Sequence, residues 1–163
     1  MKITRSTTLP AGVEDAFAVI ASQEHQEAKL AAQSERSSAT ITDRPGGGGV
    51  EVSTERQLST QEMTGPVASM VGSTLTITEK QLWGQPAADG SRSADLTIAV
   101  SGVPVRLAGT IVLAPAGTQS SLTVDADLTC SMPFVGKKVE TAAAPAIEES
   151  FDLEVEALTE RLR

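Results

Sequence analysis

Two neighbouring segments, residues 105–113 and 122–130, alternate between apolar and polar or small side chains. Successive side chains of a β-strand point to opposite faces, so this alternation predicts two strands that each bury one face. The Pro and Gly residues of the intervening sequence APAGT predict a hairpin, and therefore antiparallel pairing. The chain must build a sheet with one apolar face, whose members here are Val105, Leu107, Ile111, Leu113, Leu122, Val124, Ala126, Leu128 and Cys130.

Other parts of the chain carry the same signature of alternation and β-branched residues. They are residues 2–9, 34–43, 49–59, 73–83 and 94–100. Asp43, Arg44, Pro45 and the glycines that follow predict a flexible loop that folds the strands on either side of it into a hairpin. The sequence therefore predicts a meander of about seven antiparallel strands.

Two short helices are predicted after the first strand. Val13, Phe17 and Ile20 lie one helical turn apart, which indicates a helix with one apolar face. Residues 22–33 are rich in helix-forming residues and open with Ser22, a good N-cap, so they predict a second helix set at an angle to the first.

A long helix is predicted at the C-terminal end of the chain. Residues 139–163 contain seven acidic and two basic side chains, so one face of this helix must be solvated. Pro145 lacks a backbone N–H and is expected to kink or interrupt the helix near Ala144, unless the helix begins there. The apolar positions recur at helical spacing: Ile147, Phe151, Val155, Leu158 and Leu162.

Length and composition exclude several classes of protein. With 163 residues, the chain suits one domain over residues 1–163. It has 13 Lys and Arg against 21 Asp and Glu, for a net charge of −8, and it contains no Tyr. An acidic chain with few aromatic side chains is unsuited to binding nucleic acid, since that requires basic surfaces and stacking platforms.

Cysteine and apolar content bear on location and cofactors. Cys130 has no second cysteine with which to form a disulfide, which predicts a cytoplasmic protein. No apolar run approaches the roughly 18 residues of a membrane span, so no membrane insertion is expected. One His and one Cys are too few for a transition-metal site, and we expect neither a metal nor a cofactor.

The order of elements, together with one junction, resembles a known superfamily. Met132–Glu140, with the sequence MPFVGKKVE, is similar to the stretch that enters the terminal helix in an actinobacterial branch of unknown function within the START-like superfamily. That superfamily includes relatives of the birch-pollen allergen and polyketide cyclase-like proteins. The resemblance implies an α+β helix-grip fold, in which a curved antiparallel sheet wraps around its last helix. It also implies an apolar cavity for lipids, sterols or polyketide-like ligands.

Candidate residues for lining such a cavity come from the apolar faces already described, although each also suits a plain core position. From the helix they are Ile147, Phe151 and Leu158, and from the strands Trp83, Leu107, Ile111, Val124 and Leu128. We expect small residues to leave volume unfilled, namely Ala142, Ala143, Ala146 and Gly109.

One charged side chain stands out on an apolar strand face. Arg56 shares its side of the strand with Val52 and Leu58, where it can reach into a cavity and pair with a ligand carboxylate, or else sit at an exposed strand end. The loop of residues 61–72 is apolar and either gates a cavity or covers one end of the core. Its apolar members are Met63, Pro66, Val67, Met70 and Val71.

Catalytic chemistry has few candidate groups. His25 lies in a polar helical run, so an exposed imidazole is expected rather than a dyad with Cys130. Asp125 and Asp127 share one strand face, which we expect to be the solvated one. An enzyme is therefore less favoured than a binding protein.

Three functions follow in order of preference. The first is a noncatalytic domain that binds or carries a small hydrophobic molecule between sheet and terminal helix. The second is a cyclase- or hydratase-like enzyme that uses the same cavity. The third is a ligand-free interaction module, such as a homodimer formed through the sheet or the acidic helix.

Overall fold

The structure, a computed structural model, describes residues 1–61, 68–69 and 71–163. The suggested gate residues Met63, Pro66, Val67 and Met70 lie outside the described residues. In chain order the elements are β1 (Lys2–Leu9), α1 (Val13–Ile20), α2 (Gln23–Ala31), β2 (Arg36–Asp43), a 3-10 turn (Pro45–Gly47), β3 (Val50–Ser59), β4 (Thr74–Trp83), β5 (Arg92–Val100), β6 (Val105–Ala116), β7 (Gln119–Cys130) and α3 (Gly136–Leu162).

The seven strands form one antiparallel sheet in the order β1-β7-β6-β5-β4-β3-β2. From β2 to β7, each strand pairs with the next along the chain, as the predicted meander requires, and β1 closes onto β7. The helix α3 packs against β7 and β1, whereas α2 packs against β2 at the other edge. The predicted α+β arrangement of a sheet around a long C-terminal helix is confirmed.

The register brings the apolar positions of neighbouring strands side by side. Ile111 faces Val124 and Leu113 faces Leu122 across the β6–β7 pair. Cross-strand neighbours of this kind are the unit of sheet stabilisation, and here they lie on the face that the helices cover. The buried side chains of this face join Val13, Phe17 and Ile20 of α1 and Phe151 and Leu158 of α3 in one hydrophobic cluster.

The helix α1 is fixed to the sheet by its apolar face and by one ion pair. The Phe17 ring meets the Trp83 ring edge-to-face, with ring centroids 5.3 Å apart. Arg92 stacks over the Phe17 ring, 4.0 Å from the ring centroid, and donates from Nε and Nη2 to the two carboxylate oxygens of Glu14 at 2.9 and 3.0 Å. Phe17 is therefore held by an aromatic and a cation–π contact, and the bidentate pair of Arg92 with Glu14 adds a second link between α1 and β5.

The helix α3 continues through Pro145 without the predicted interruption. Proline removes one of the backbone hydrogen bonds of this 27-residue helix. The apolar stripe on both sides of it still packs on the sheet, through Ala144 before the proline position and through Phe151 and Leu158 after it. Tertiary packing therefore outweighs the local cost of the proline.

The small residues expected to leave open volume do not do so. A side chain on Gly109 would overlap the carbonyl oxygen of Asp125 and the Cα and Cβ atoms of Ala126 in the neighbouring strand. Gly109 is therefore needed for close approach of β6 and β7, and not for a cavity. Ala142 and Ala146 lie on the exposed side of α3, and Ala143 is half-buried.

We predict that Gly109→Ala lowers the free energy of unfolding by about 1–3 kcal/mol, because the added methyl group must displace the β7 backbone. Gly72→Ala is the matched control, since a Cβ there meets no heavy atom of the described residues within 4 Å. Urea denaturation of both variants and the wild type provides the test. Equal losses in the two variants would contradict the close approach.

Candidate functional site

A cleft of about 290 Å³ opens between the edge strand β1, its neighbour β7 and the helix α3. Its apolar wall is formed by Leu122, Val124, Phe151 and Val155, and polar side chains stand around it. The full lining is Arg5, Ser6, Thr7, Leu122, Val124, Phe151, Asp152, Glu154, Val155 and Glu156. A cleft of this size, with apolar walls and a few polar groups, is typical of small-molecule sites.

A second, much smaller space of about 20 Å³ lies on the inner side of this cleft. The two spaces share four lining residues, Leu122, Val124, Phe151 and Glu154. The inner space is also lined by Ile20, Gln81, Trp83 and Ile111, and it is large enough for about one water molecule. The shared side chains separate the cleft from the core.

Arg5 forms two ion pairs beside the cleft. Arg5 of β1 donates from Nη2 to Oε2 of Glu148 at 3.1 Å, and its Nε lies 3.4 Å from Oδ1 of Asp152. Both carboxylates belong to α3. The two pairs therefore tie the edge strand to the helix, and Arg5 and Asp152 also line the cleft.

A cluster of four charged side chains includes one residue that lines the cleft, Glu154. We call Lys29, Arg56, Glu79 and Glu154 the buried ion cluster. Lys29 Nζ lies 3.3 Å from Glu154 Oε1 and 3.9 Å from Glu79 Oε1, and Arg56 Nη1 lies 3.9 Å from Glu79 Oε2. With two cations and two anions, the cluster is formally neutral, and it joins α2, β3, β4 and α3.

A chain of side-chain hydrogen bonds extends the buried ion cluster along β4. Gln81 donates from Nε2 to Oε1 of Glu79 at 2.7 Å, and the Trp83 indole donates from Nε1 to Oε1 of Gln81 at 2.9 Å. These three residues lie on the same face of the strand. The bonds give the fully buried indole N–H the partner that burial demands.

The pKa values in the cluster are set by competition between burial and neighbouring charges. Burial lowers the pKa of Lys29, but the Glu154 and Glu79 carboxylates outweigh it and raise that pKa. Burial raises the pKa of Glu79, but Lys29, the Gln81 hydrogen bond and Arg56 outweigh it and lower that pKa. For Glu154, burial, reinforced by Glu79, prevails over Lys29 and raises the pKa. Glu154 is therefore the cluster carboxylate that takes up a proton more readily.

Four of the predicted lining residues face these spaces. Val124 and Phe151 line both of them, and Trp83 and Ile111 line the inner one. The structure places three others, Leu107, Leu128 and Leu158, in the buried core, and Ile147 half-buried against it. Arg56 is buried in the ion cluster. For all nine residues, contact with a ligand stays a prediction.

Sequence reasoning missed Lys29, Glu79, Gln81 and Glu154. The signal for three of them was present. Glu79 and Gln81 share the strand face of Ile77 and Trp83, as Arg56 shares that of Val52. Glu154 likewise lies three residues from Phe151 and four from Leu158, within the apolar stripe of α3. A polar residue on an apolar face was thus the recurring indicator.

His25 is buried, and the expectation of an exposed imidazole was wrong. The helix α2 turns His25, Gln26, Lys29 and Leu30 inward. Among the described residues, neither ring nitrogen of His25 has a hydrogen-bond partner, and burial, with help from the nearby cations Lys29 and Arg161, lowers its pKa to about 4. The polar composition of α2 concealed its buried face, because here that face is itself mostly polar.

Asp125 and Asp127 lie on the outer face of β7, as predicted. Lys2 Nζ lies 2.8 Å from Asp125 Oδ1 and 3.8 Å from Asp127 Oδ2, and all three side chains are substantially exposed. Over the described part of the chain, no cluster of three or more His, Cys, Asp and Glu side chains has an arrangement suited to a metal ion. Within the same residues, no helix combines the length and apolar character needed to cross a bilayer.

Several solved structures share this fold. A START superfamily protein from Mycobacterium smegmatis is 14% identical, with a TM-score of 0.60 over 99% of each chain. A STAR-related lipid transfer protein from Xanthomonas axonopodis is 16% identical, with a TM-score of 0.63 over 99% of this chain and 85% of its own. The Zhui aromatase/cyclase from Streptomyces sp. R1128 is 11% identical, with a TM-score of 0.61 over 99% of this chain and 93% of its own.

These likenesses, together with the sheet that wraps around α3, define the class: the chain has the START-like, helix-grip fold. The model of a family described as "Protein of unknown function (DUF2505)" matches residues 4–162. The chain therefore belongs to the DUF2505 family. No curated protein matches it in sequence.

We predict that Lys29→Met destabilises the protein by about 3–5 kcal/mol, because it leaves two buried carboxylates without their shared cation. Lys80→Met is the matched control, since Lys80 also pairs with a glutamate, Glu51 at 3.3 Å, but its side chain is 50% exposed. The control should lose no more than about 1 kcal/mol. Chemical denaturation measures both, and similar losses would contradict a cluster shielded from water.

We predict that His25 makes the protein less stable in mild acid. Its folded-state pKa lies below the ordinary value of 6.5, so the unfolded chain takes up this proton first. The contribution of His25 is therefore present above about pH 6.5 and is lost, by roughly 1 kcal/mol per pH unit, as the pH falls toward 4. Urea titrations at about pH 7 and about pH 5 should show a smaller pH effect in His25→Leu than in the wild type. The same pH effect in both proteins would contradict the buried neutral imidazole.

Proposed function

We propose that this protein binds a small, largely apolar molecule in the cleft between β1, β7 and α3. One observation carries the proposal: a cleft of about 290 Å³ whose apolar wall belongs to the sheet and the terminal helix. Burying an apolar ligand against Leu122, Val124, Phe151 and Val155 removes apolar surface from water, at about 25 cal/mol per Å². The ligand need not displace the packed core, because the cleft opens at the edge of the sheet.

The chemical range of the ligand is part of the proposal. Lipids, sterols and polyketide-like molecules each combine a large apolar body with a few polar groups, which suits an apolar wall bordered by polar side chains. The similar folds include a STAR-related lipid transfer protein and an aromatase/cyclase. These names describe those two proteins, and for this chain they support binding of the same broad kind of molecule.

Among the predicted lining residues, we propose direct ligand contact for Val124 and Phe151. We propose a role for Trp83 and Ile111 as the floor behind them. In this scheme Arg56 does not contact the ligand and acts on it only through Glu79, because its guanidinium lies beside Glu79 and not on the cleft wall.

A second candidate function is acid–base catalysis in the same cleft, of the kind that a cyclase or hydratase needs. The observation that favours it is Glu154, a cleft carboxylate with a raised pKa that contacts a buried lysine. Such a carboxylate can hold and release a proton near a bound substrate. Turnover that is lost in Glu154→Gln while binding persists would distinguish this function from simple carriage.

We also propose that residues 1–163 act as one domain, since the described helices and strands share a hydrophobic cluster. A cytoplasmic location and homodimer formation stay predictions from the sequence.

We predict that Val155→Trp blocks the cleft and abolishes binding of phenylbutanol, a neutral apolar probe. Val155 is half-buried and lines the cleft, so the indole ring of a tryptophan there fills the space that a ligand needs. Leu153→Trp is the matched control, because Leu153 is 46% exposed on the same helix and does not line the cleft. Ligand-detected NMR and isothermal titration provide the measurement. The wild type and the control should bind, and equal binding by Val155→Trp, or no binding by the wild type, would overturn the proposal.

A further inference from the structure

Negatively charged side chains outnumber positively charged ones around the cleft. The side chains that line it include one cation, Arg5, and three carboxylates, Asp152, Glu154 and Glu156. The one cation is already engaged by two carboxylates of α3, Glu148 and Asp152. An anionic ligand would therefore have to compete for Arg5 while it faces the remaining carboxylates.

The Glu154 carboxylate can accept more hydrogen bonds than it does. Its Oε1 lies 3.3 Å from Lys29 Nζ, and that ammonium is shared with Glu79. In the described part of the chain, Oε2 of Glu154 accepts no hydrogen bond. A carboxylate has two oxygens that each accept hydrogen bonds, so half of this group is open to a ligand.

The position of Glu154 adds to this argument. It lines both the cleft and the inner space behind it, and its side chain is only 16% exposed. Charge interactions are stronger where water is scarce, and they are screened at an exposed position. Of the three cleft carboxylates, Glu154 is thus the one that combines partial burial, a place in the lining of both spaces and an oxygen that accepts no hydrogen bond among the described residues.

We infer that the natural ligand carries a positively charged amine on its apolar body, and that this amine binds Oε2 of Glu154 while the apolar body lies against Val124 and Phe151. The inference rests on the proposed function, since it specifies the ligand of the same cleft. It excludes fatty acids and other carboxylates as preferred ligands. Glu156 provides a second negative charge at the cleft, outside any ion pair among the described residues, and assists entry of the cation.

Three probes with the same apolar body test the charge preference on the wild-type protein: phenylbutylamine, phenylbutanol and phenylbutyrate. At neutral pH they are cationic, neutral and anionic. We expect the amine to bind about tenfold more tightly than the alcohol, and the acid about tenfold more weakly than the alcohol, by isothermal titration. If the alcohol binds as tightly as the amine, or if the acid binds more tightly than the alcohol, the inference is overturned and the proposed function still stands.

A pair of variants then locates the preference. Glu154→Gln should weaken amine binding about tenfold, to the level of the alcohol, and leave alcohol binding within about twofold. Its amide oxygen still accepts from Lys29, and a thermal unfolding curve checks that the protein remains folded. Glu149→Gln makes the same change in net charge at an exposed position of α3 outside the cleft, and it should leave all three affinities unchanged.

The outcomes separate the two proposals. Equal losses of amine binding in both variants would show a general effect of net charge and overturn the role of Glu154. Failure of all three probes to bind the wild type would overturn the proposed function, and the inference with it.

Discussion

The sheet presents one apolar face, and most of the structure depends on how that face is covered. The helix α3 covers the β7 and β1 side, and α2 covers β2 at the other edge. Between these two regions the inner face changes character, because β3 and β4 contribute Arg56, Glu79 and Gln81 in place of apolar side chains. The buried ion cluster neutralises the charged side chains on this part of the face, because Lys29 and Glu154 bring matching charges from the two helices. The helices are therefore placed by apolar contact over most of the face and by charge over the rest.

The same arrangement explains why the cleft is where it is. The helix α3 packs its apolar stripe on β7 and β1, but Glu154 within that stripe is directed to Lys29 and not to an apolar neighbour. The space between Phe151, Val155 and the edge strand is left open, with the ion pairs of Arg5 beside it. A sheet edge beside a helix with a mixed stripe thus yields a cleft with apolar walls and Glu154 in its lining.

The sequence was sufficient for the elements of the fold, because strand alternation and helical spacing are local properties. The alternation in β6 and β7 predicted both strands, and the loop between them predicted their antiparallel pairing. Arg56 was identified because it is a charged residue on an apolar face, and the same rule applied to Glu79, Gln81 and Glu154 would have identified them. His25 could not be found in that way, since the buried face of α2 is largely polar. The family resemblance implied a cavity between the sheet and the terminal helix, but the position of the cleft at the β1 edge could not be predicted, because it depends on the distance between β1 and α3, which no local pattern encodes.

Stability alone does not account for the buried ion cluster. Replacing a buried set of paired charges by apolar side chains of similar volume is often neutral or stabilising, because desolvation offsets the attraction between the charges. The surrounding face is apolar already, so leucine or methionine at these positions would continue it. The cluster does, however, hold a partly open carboxylate in the lining of an apolar cleft, in fixed geometry, with Lys29 and Gln81 restraining the groups around it. Preorganised polar groups in a partly desolvated cleft are what selective ligand recognition requires. A functional reason for keeping these charges, recognition of a polar group on an apolar ligand, therefore explains more of the structure than a purely architectural one.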